Sequence, residues 1–137
     1  MSGSREQGAG SREQGAPAIR SYRDLQVWRQ ALQLTAECYR LSQAWPKSEL
    51  YGLTSQMRRA AASIPANIAE GHGLGTRAAY AHHLRIARGS LRELETHLLV
   101  AEEVGVAASG TVAQALSLCD EQGRMLHALI SRLSSPR

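Results

Sequence analysis

The sequence predicts an all-α protein, folded as an antiparallel up-down four-helix bundle. Four segments carry apolar residues at the three- and four-residue spacing of amphipathic helices, and short turn-forming stretches separate them. No segment shows the alternation of apolar and polar residues that is typical of a strand. The 137 residues, 43% of them hydrophobic, suit one domain, and the absence of Phe indicates a core of Leu, Ala, Val and Ile.

Residues 1–21 precede the predicted bundle, which spans residues 22–134. The sequence Ser-Arg-Glu-Gln-Gly-Ala occurs there twice, beginning at Ser4 and at Ser11. A segment of this composition has no apolar face to bury, so we expect a disordered tail. A misassigned start codon would also explain the segment.

Helix 1 is expected from about Asp24 to Gln43, and more than half of its circumference is apolar. One apolar stripe comprises Leu25, Trp28, Leu32, Thr35 and Tyr39, and a second comprises Val27, Ala31, Leu34, Cys38 and Leu41. Gln30 falls in the polar strip that remains. Because one stripe suffices to face the core of a small bundle, the other predicts a contact with a second copy of the chain. The residues of helix 1 expected at this oligomer interface are Val27, Leu34, Cys38 and Leu41.

Helix 2 is expected to follow Pro46, with Ser48 as its cap, and to end at the glycine-rich stretch 71–75. That stretch lacks the preceding strand and the Lys-Ser/Thr pair of a P-loop, so a flexible connector is the favoured interpretation over an anion site. Pro65 lies inside the helical pattern and predicts a kink or a restart, which Ser63 would cap.

Two polar residues follow Pro65 at helical spacing, Asn67 and Glu70. One interpretation is a polar cluster that fixes a subunit contact or a ligand, which adds Pro65, Asn67 and Glu70 to the oligomer interface. The other is local capping of a bent helix, since Ser and Asn often bond to nearby backbone groups. The sequence leaves both interpretations open and favours the second.

Helix 3 is expected to begin after a Thr76 cap and to run to about Val104, where Gly105 ends it. Its expected core stripe is Tyr80, Leu84, Ala87, Leu91, Leu94 and Leu98. Helix 4 is expected to start at Ser109 or Thr111. Its apolar residues alternate spacings of four and three, which is the pattern of helices packed nearly parallel to one another.

The basic residues permit a polyanionic partner. The formal net charge is +4, and every basic residue except Lys47 is Arg, a bias that a GC-rich genome would also produce. Arg pairs with phosphate in a bidentate geometry. Four arginines of helix 3 project to one side of it, so they could follow a phosphate backbone. With two from helix 2, the candidate nucleic-acid-binding residues are Arg58, Arg59, Arg77, Arg85, Arg88 and Arg92.

A solvated face, with pairs such as Arg92 and Glu95, is the competing interpretation of these arginines. It is the favoured one for a monomer. In a ring of copies, each arginine stripe is repeated around the axis, and the summed field attracts polyanions more strongly. The nucleic-acid hypothesis therefore depends on oligomerisation.

The sequence gives little support for a disulfide, a membrane span, a metal site or catalysis. Cys38 and Cys119 lack a CxxC pattern and fall at apolar positions, so we expect buried free thiols in a reducing cytoplasm. We expect no membrane span and no secretory signal, and hence a cytoplasmic protein. His82 and His83 point to different faces, and we expect no metal, no cofactor and no catalytic residue, and therefore no enzyme.

Three motifs occur in order along the chain: YRDLQVW at 22–28, QMRRAAASIPANIAEG at 56–71 and IARGSLRELET at 86–96. Together they resemble the family of bacterial four-helix bundle proteins encoded in intervening sequences of 23S ribosomal RNA genes. The resemblance is close over about residues 22–105 and looser over helix 4. It implies a homopentamer, in agreement with the two apolar stripes of helix 1. Leu74 and Gly75 depart from the family, in which Arg or Lys is often found at these positions.

The family is also similar to the accessory protein of diversity-generating retroelements, a pentameric bundle that binds nucleic acid and a reverse transcriptase. The resemblance therefore implies RNA or DNA, and a reverse transcriptase, as candidate partners besides further copies of the chain. Two hypotheses follow. In the first, the oligomer binds nucleic acid non-specifically through the arginines of helix 3. In the second, it is a protein-interaction scaffold with no direct role in nucleic-acid binding.

Overall fold

The computed structural model describes residues 21–135, which form four α-helices and two 3-10 turns and contain no strand. The helices are α1 (Gln26–Ser42), α2 (Leu53–Gly73), α3 (Arg77–Glu103) and α4 (Ala113–Ser134). The 3-10 turns, Tyr22–Asp24 and Lys47–Glu49, precede α1 and α2. The predicted all-α class is confirmed. The predicted tail lies outside the described residues, apart from Ser21.

The four helices form a helical bundle. Among the described residues, each helix packs against the next one along the chain and α1 also packs against α4, whereas no Cα atoms of α1 and α3, or of α2 and α4, lie within 8 Å of each other. On α2 and α3, Ser63 faces Ser90 whereas Asn67, one turn later, faces His83, so these two helices run in opposite directions. The core between the helices contains the leucine stripe of α3 at positions 84, 91, 94 and 98, all fully buried.

Helix α1 turns toward the core the stripe for which we predicted an oligomer interface. Leu34 and Cys38 are fully buried within the single chain, and Val27 and Leu41 are exposed by only 6% and 8%. The interface prediction is therefore wrong for these four residues. In the other stripe, Leu32 and Tyr39 face outward, exposed by 42% and 44%, whereas Leu25 and Trp28 are partly buried against the core.

Two glutamines join α1 to α4 inside the bundle. Gln30, which the helical pattern placed in a polar strip, is 5% exposed, and its amide nitrogen donates to the carbonyl oxygen of Leu118 at 2.9 Å. The amide nitrogen of Gln122 donates to Gln30 and to the carbonyl oxygen of Val27. These bonds satisfy the amide nitrogens of both glutamines, whereas Oε1 of Gln122 is buried without a partner among the described residues.

The boundaries of the helices test the predicted caps. Thr76 caps α3 as predicted, since its hydroxyl accepts from the backbone N–H of Ala79 at 3.1 Å. Gly105, with φ of +80°, follows the end of α3, also as predicted. Ser48 does not cap α2, because it lies in a 3-10 turn and α2 begins at Leu53, whose N–H donates to the Glu49 carboxylate. No restart occurs at Pro65, because α2 is continuous through it.

Cys38 and Cys119 are buried free thiols, as predicted. Burial, with a smaller contribution from Glu37, raises the pKa of Cys38 to about 12. Burial also raises the pKa of Cys119. Across residues 21–135, no helix combines the length and the apolar character needed to cross a membrane.

Candidate nucleic-acid interface

A cleft of about 380 Å³ lies between the outer faces of α3 and α4. Its charged and polar lining consists of Arg88, Arg92, Glu95, Asp120, Arg124 and His127. The first three residues come from α3 and the last three from α4. Because α3 and α4 are packed against each other along their length, each contributes one wall of this cleft.

The floor of the cleft contains Gly123 and Cys119. A Cβ atom at Gly123 would lie 3.5 Å from Cδ2 of Leu91 and 4.0 Å from Nη1 of Arg92, so the glycine keeps the space beneath Arg92 open. Because burial raises the pKa of Cys119, its thiol stays protonated at neutral pH and is a poor nucleophile. The cleft therefore offers charge rather than a nucleophile.

Arg88 is half-buried in the cleft wall, and none of its donors has an acceptor or a counterion among the described residues. Arg124, on the opposite wall, is likewise unpaired. Arg92 donates from Nη1 to Glu95 Oε1 at 3.2 Å, although 63% of its side chain stays exposed. Three guanidinium groups thus converge on one cleft, and two of them have no protein partner.

The other two arginines of the predicted helix 3 stripe lie at the neighbouring end of the helix and bind α4. Nη2 of Arg77 donates to the carbonyl oxygens of Arg132 and Leu133, each at 3.0 Å. Arg85 donates to the hydroxyl of Ser134 at 3.1 Å. These bonds satisfy groups at the C-terminal end of α4, where a positive charge also complements the helix dipole.

The two helix 2 candidates are not brought into the cleft. Arg58 lies over the ring of Tyr39, with its Cζ atom 4.6 Å from the centroid, and donates to the Ser42 hydroxyl at 2.9 Å. Arg59 is exposed and donates to the hydroxyl of Ser55 at 3.1 Å. Neither arginine belongs to the lining of the α3–α4 cleft.

The polar residues around Pro65 connect α2 to α3 within one chain. The amide nitrogen of Asn67 donates to the carbonyl and hydroxyl oxygens of Ser63, while its oxygen lies 3.1 Å from Nδ1 of His83. The Ser63 hydroxyl in turn lies 2.8 Å from that of Ser90. The bonds from Asn67 to Ser63 are local, as in the favoured interpretation, whereas the contacts with His83 and Ser90 join two helices, which neither interpretation anticipated.

This arrangement also corrects part of the predicted oligomer interface. Pro65 is buried in the protomer, so the prediction is wrong for it. The side-chain amide of Asn67 is bonded within the chain. Glu70 is 64% exposed, with Oε2 lying 3.9 Å from Nε2 of His83, and its place at an interface stays a prediction.

Sequence reasoning missed the contribution of α4 to the cleft. Asp120, Arg124 and His127 are scattered polar residues along the helix, and only the register of α4 against α3 brings them opposite Arg88 and Arg92. The signal in the sequence was their common position beside the apolar stripe of helix 4. Within the described part of the chain, no group of three His, Cys, Asp or Glu side chains is arranged to hold a metal ion.

The fold and the cleft define a class of protein: a helical bundle with an arginine-lined cleft between two adjacent helices. The family model of the 23S rRNA-intervening sequence protein matches residues 23–128. The chain therefore belongs to this family. No curated protein matches the sequence.

Proposed function

We propose that the protein is a non-enzymatic, oligomeric nucleic-acid-binding protein that holds phosphate groups in the α3–α4 cleft. The observation that carries this proposal is the guanidinium of the half-buried residue Arg88, which has no acceptor and no counterion among the described residues. A guanidinium has five N–H donors and stays charged at every physiological pH. An anion with several hydrogen-bond acceptors would satisfy these donors.

A polymer with several phosphates suits this surface better than one small anion, because several arginines lie along it. Arginine and phosphate form bidentate, charge-assisted hydrogen bonds, which are stronger than neutral ones. Arg92 and Arg124 line the same cleft as Arg88, so one phosphodiester can contact more than one guanidinium. Arg85 lies one turn before Arg88, and Arg85 to Arg92 spans about 10 Å at 1.5 Å per residue. That length accommodates neighbouring phosphates of one strand.

Binding of this kind is insensitive to base sequence and steep in salt, because phosphate contacts position a polymer without reading its bases. Base stacking contributes little here, since the charged lining of the cleft includes no Phe, Tyr or Trp. The interaction therefore depends on the number of arginine–phosphate contacts.

Oligomerisation would multiply these contacts. We propose an antiparallel up-down bundle that assembles as a homopentamer through the outer face of α1, which carries Leu32, Ala36 and Tyr39. Leu32 and Tyr39 are more than two-fifths exposed, although both are large and apolar. Exposed apolar residues along one helix face are typical of protein interfaces. Each copy would bring one cleft to the assembly.

The experiment is fluorescence anisotropy with labelled RNA and duplex DNA, on protein stripped of co-purified nucleic acid. The test variant is Arg88→Gln/Arg92→Gln/Arg124→Gln. Its matched control is Arg23→Gln/Arg29→Gln/Lys47→Gln, which removes the same charge from exposed positions of α1 and the two 3-10 turns, outside the candidate nucleic-acid-binding residues. We expect the test variant to lose at least about tenfold in affinity, which is about 1.4 kcal/mol, and the control to lose much less. Equal losses would mean that only net charge matters.

A second candidate is a protein-interaction scaffold, such as an accessory subunit of a reverse transcriptase. It is favoured by the exposed apolar residues near the end of α3, where Leu99 is exposed by 52% and Val104 by 64%. Absence of binding to any nucleic acid at low salt would favour this candidate over the first.

A further inference from the structure

We infer that the α3–α4 cleft distinguishes RNA from DNA, because Asp120 and Glu95 accept hydrogen bonds from ribose 2′-hydroxyl groups. This inference rests on the proposed function and names the polymer that the cleft prefers. The observation behind it is the mixed charge of the cleft, in which two carboxylates line the same space as three arginines.

Carboxylates weaken the binding of phosphate, so a surface that binds only phosphate gains nothing from them. A carboxylate repels a phosphate and can accept hydrogen bonds but not donate them. Asp120 lines the cleft beside Arg88, Arg92 and Arg124, yet it forms no ion pair and no side-chain hydrogen bond within the described chain. Its two oxygens are therefore available to a donor on a ligand.

A ribonucleotide supplies both kinds of group within one unit. Its phosphate accepts from guanidinium groups, and its 2′-hydroxyl donates a hydrogen bond a few bonds away along the same backbone. Acidic side chains bind ribose hydroxyls in this way in dinucleotide-binding folds. The 2′-hydroxyl is also the group by which a protein distinguishes RNA from DNA at a given position. Deoxyribose would leave Asp120 unpaired beside the phosphates.

Glu95 serves as a second acceptor, and its removal should change binding differently from the removal of Asp120. One of its oxygens already accepts from Arg92 at 3.2 Å, and its side chain is 23% exposed. Its other oxygen has no partner among the described residues. Removing Glu95 would release Arg92 to bind phosphate, so it would raise affinity for every polymer while lowering the preference for RNA.

The test compares three hairpins of one sequence: RNA, DNA and 2′-fluoro RNA. The 2′-fluoro hairpin keeps the A-form shape but lacks the hydroxyl donor, so it separates hydrogen bonding from helix geometry. We expect the full-length protein to bind the RNA about tenfold more tightly than either of the other two, as one charge-assisted hydrogen bond would produce.

The variant is Asp120→Ala, and its matched control is Glu103→Ala, an exposed α3 residue that is outside the cleft lining and has the same charge. Both changes remove one negative charge, and Asp120→Ala also relieves a repulsion inside the cleft, so the readout is the ratio of affinities among the three hairpins rather than the affinity for any one of them. We expect Asp120→Ala to reduce the RNA preference severalfold, with Glu95 supplying the remainder, and Glu103→Ala to keep the full preference. An undiminished preference in Asp120→Ala, or equal binding of RNA and 2′-fluoro RNA by the unmodified protein, would overturn the inference. Failure to bind all three hairpins would contradict the proposed function itself.

Discussion

The hydroxyl of Thr35 on α1 lies 3.1 Å from the carbonyl oxygen of Ala61 on α2. In an uninterrupted helix, that oxygen accepts from the N–H four residues later, which here is the position of Pro65, a residue without an N–H. Thr35 thus provides from a neighbouring helix the donor that the proline removes. The same hydroxyl also lies 2.8 Å from the carbonyl oxygen of Ala31, so the two acceptors share its single proton.

This relationship predicts an energetic coupling between Thr35 and Pro65. Thr35→Val keeps the side-chain shape but leaves the Ala61 oxygen without its donor, which we expect to lower the free energy of unfolding by about 1–2 kcal/mol. In a Pro65→Ala background, the new N–H satisfies the Ala61 oxygen, so the same change should cost less. A double-mutant cycle by urea denaturation measures the coupling. Additive effects would show that Thr35 does not compensate for Pro65.

Gly71 permits the close crossing of α2 and α3. A Cβ atom at this position would lie 2.6 Å from Cβ of His83. We expect Gly71→Ala to destabilise the fold by about 2–3 kcal/mol, since the backbones must separate. Gly73→Ala is the matched control, because a Cβ there meets nothing within 4 Å, and it should be neutral or slightly stabilising. Thermal denaturation followed by circular dichroism distinguishes the two, and similar melting temperatures would refute the packing role of Gly71.

The two stripes of α1 predict opposite results for acidic substitutions. Leu32→Glu/Ala36→Glu alters only exposed positions, so we expect helical content to remain and the oligomer to dissociate. Leu34→Glu places an unpaired carboxylate in the core, so we expect the protomer to unfold. Light scattering coupled to size-exclusion chromatography reports the mass. Leu99→Glu is the control for an exposed leucine elsewhere, and an unchanged mass for the α1 double variant would place the interface on another face.

The buried thiols predict a loss of stability at alkaline pH. The thiol of unfolded Cys38 ionises near its ordinary pKa of 9.0, whereas the folded thiol keeps its proton up to about 12. Between these values, unfolding releases a proton, so the free energy of unfolding falls as pH rises, by up to about 1.4 kcal/mol per pH unit for each thiol. Denaturation of the unmodified protein and of Cys38→Ala from pH 8 to 11 measures this fall. An equally steep fall in the variant would show that Cys38 does not cause it.

Features controlled by local chemistry were predictable from the sequence. The Thr76 cap and the stop at Gly105 depend on hydrogen bonds and backbone angles within a few residues, and both predictions are confirmed. The leucine stripe of helix 3 is likewise buried, because only one of its faces is continuously apolar. Such signals need no knowledge of the neighbouring helices.

Features controlled by helix rotation and register were not predictable. Helix 1 has two apolar stripes of similar character, and periodicity alone does not say which one faces the core. The choice depends on partners such as Gln122 of α4, which buries Gln30 on the side that the helical pattern classed as polar. The cleft was not predictable for a similar reason, because only the register of α4 against α3 brings Arg124 to the same cleft as Arg88.

The most direct test of the central claim is the salt dependence of RNA binding, measured as the slope of log Kobs against log salt concentration. Each phosphate contact contributes about 0.7–0.9 to the magnitude of this slope. We predict that Arg88→Gln/Arg92→Gln/Arg124→Gln reduces the magnitude by about 2–3 per occupied cleft, while Arg23→Gln/Arg29→Gln/Lys47→Gln leaves it nearly unchanged. The same slope for both variants and the unmodified protein would contradict the assignment of the cleft as the phosphate-binding surface.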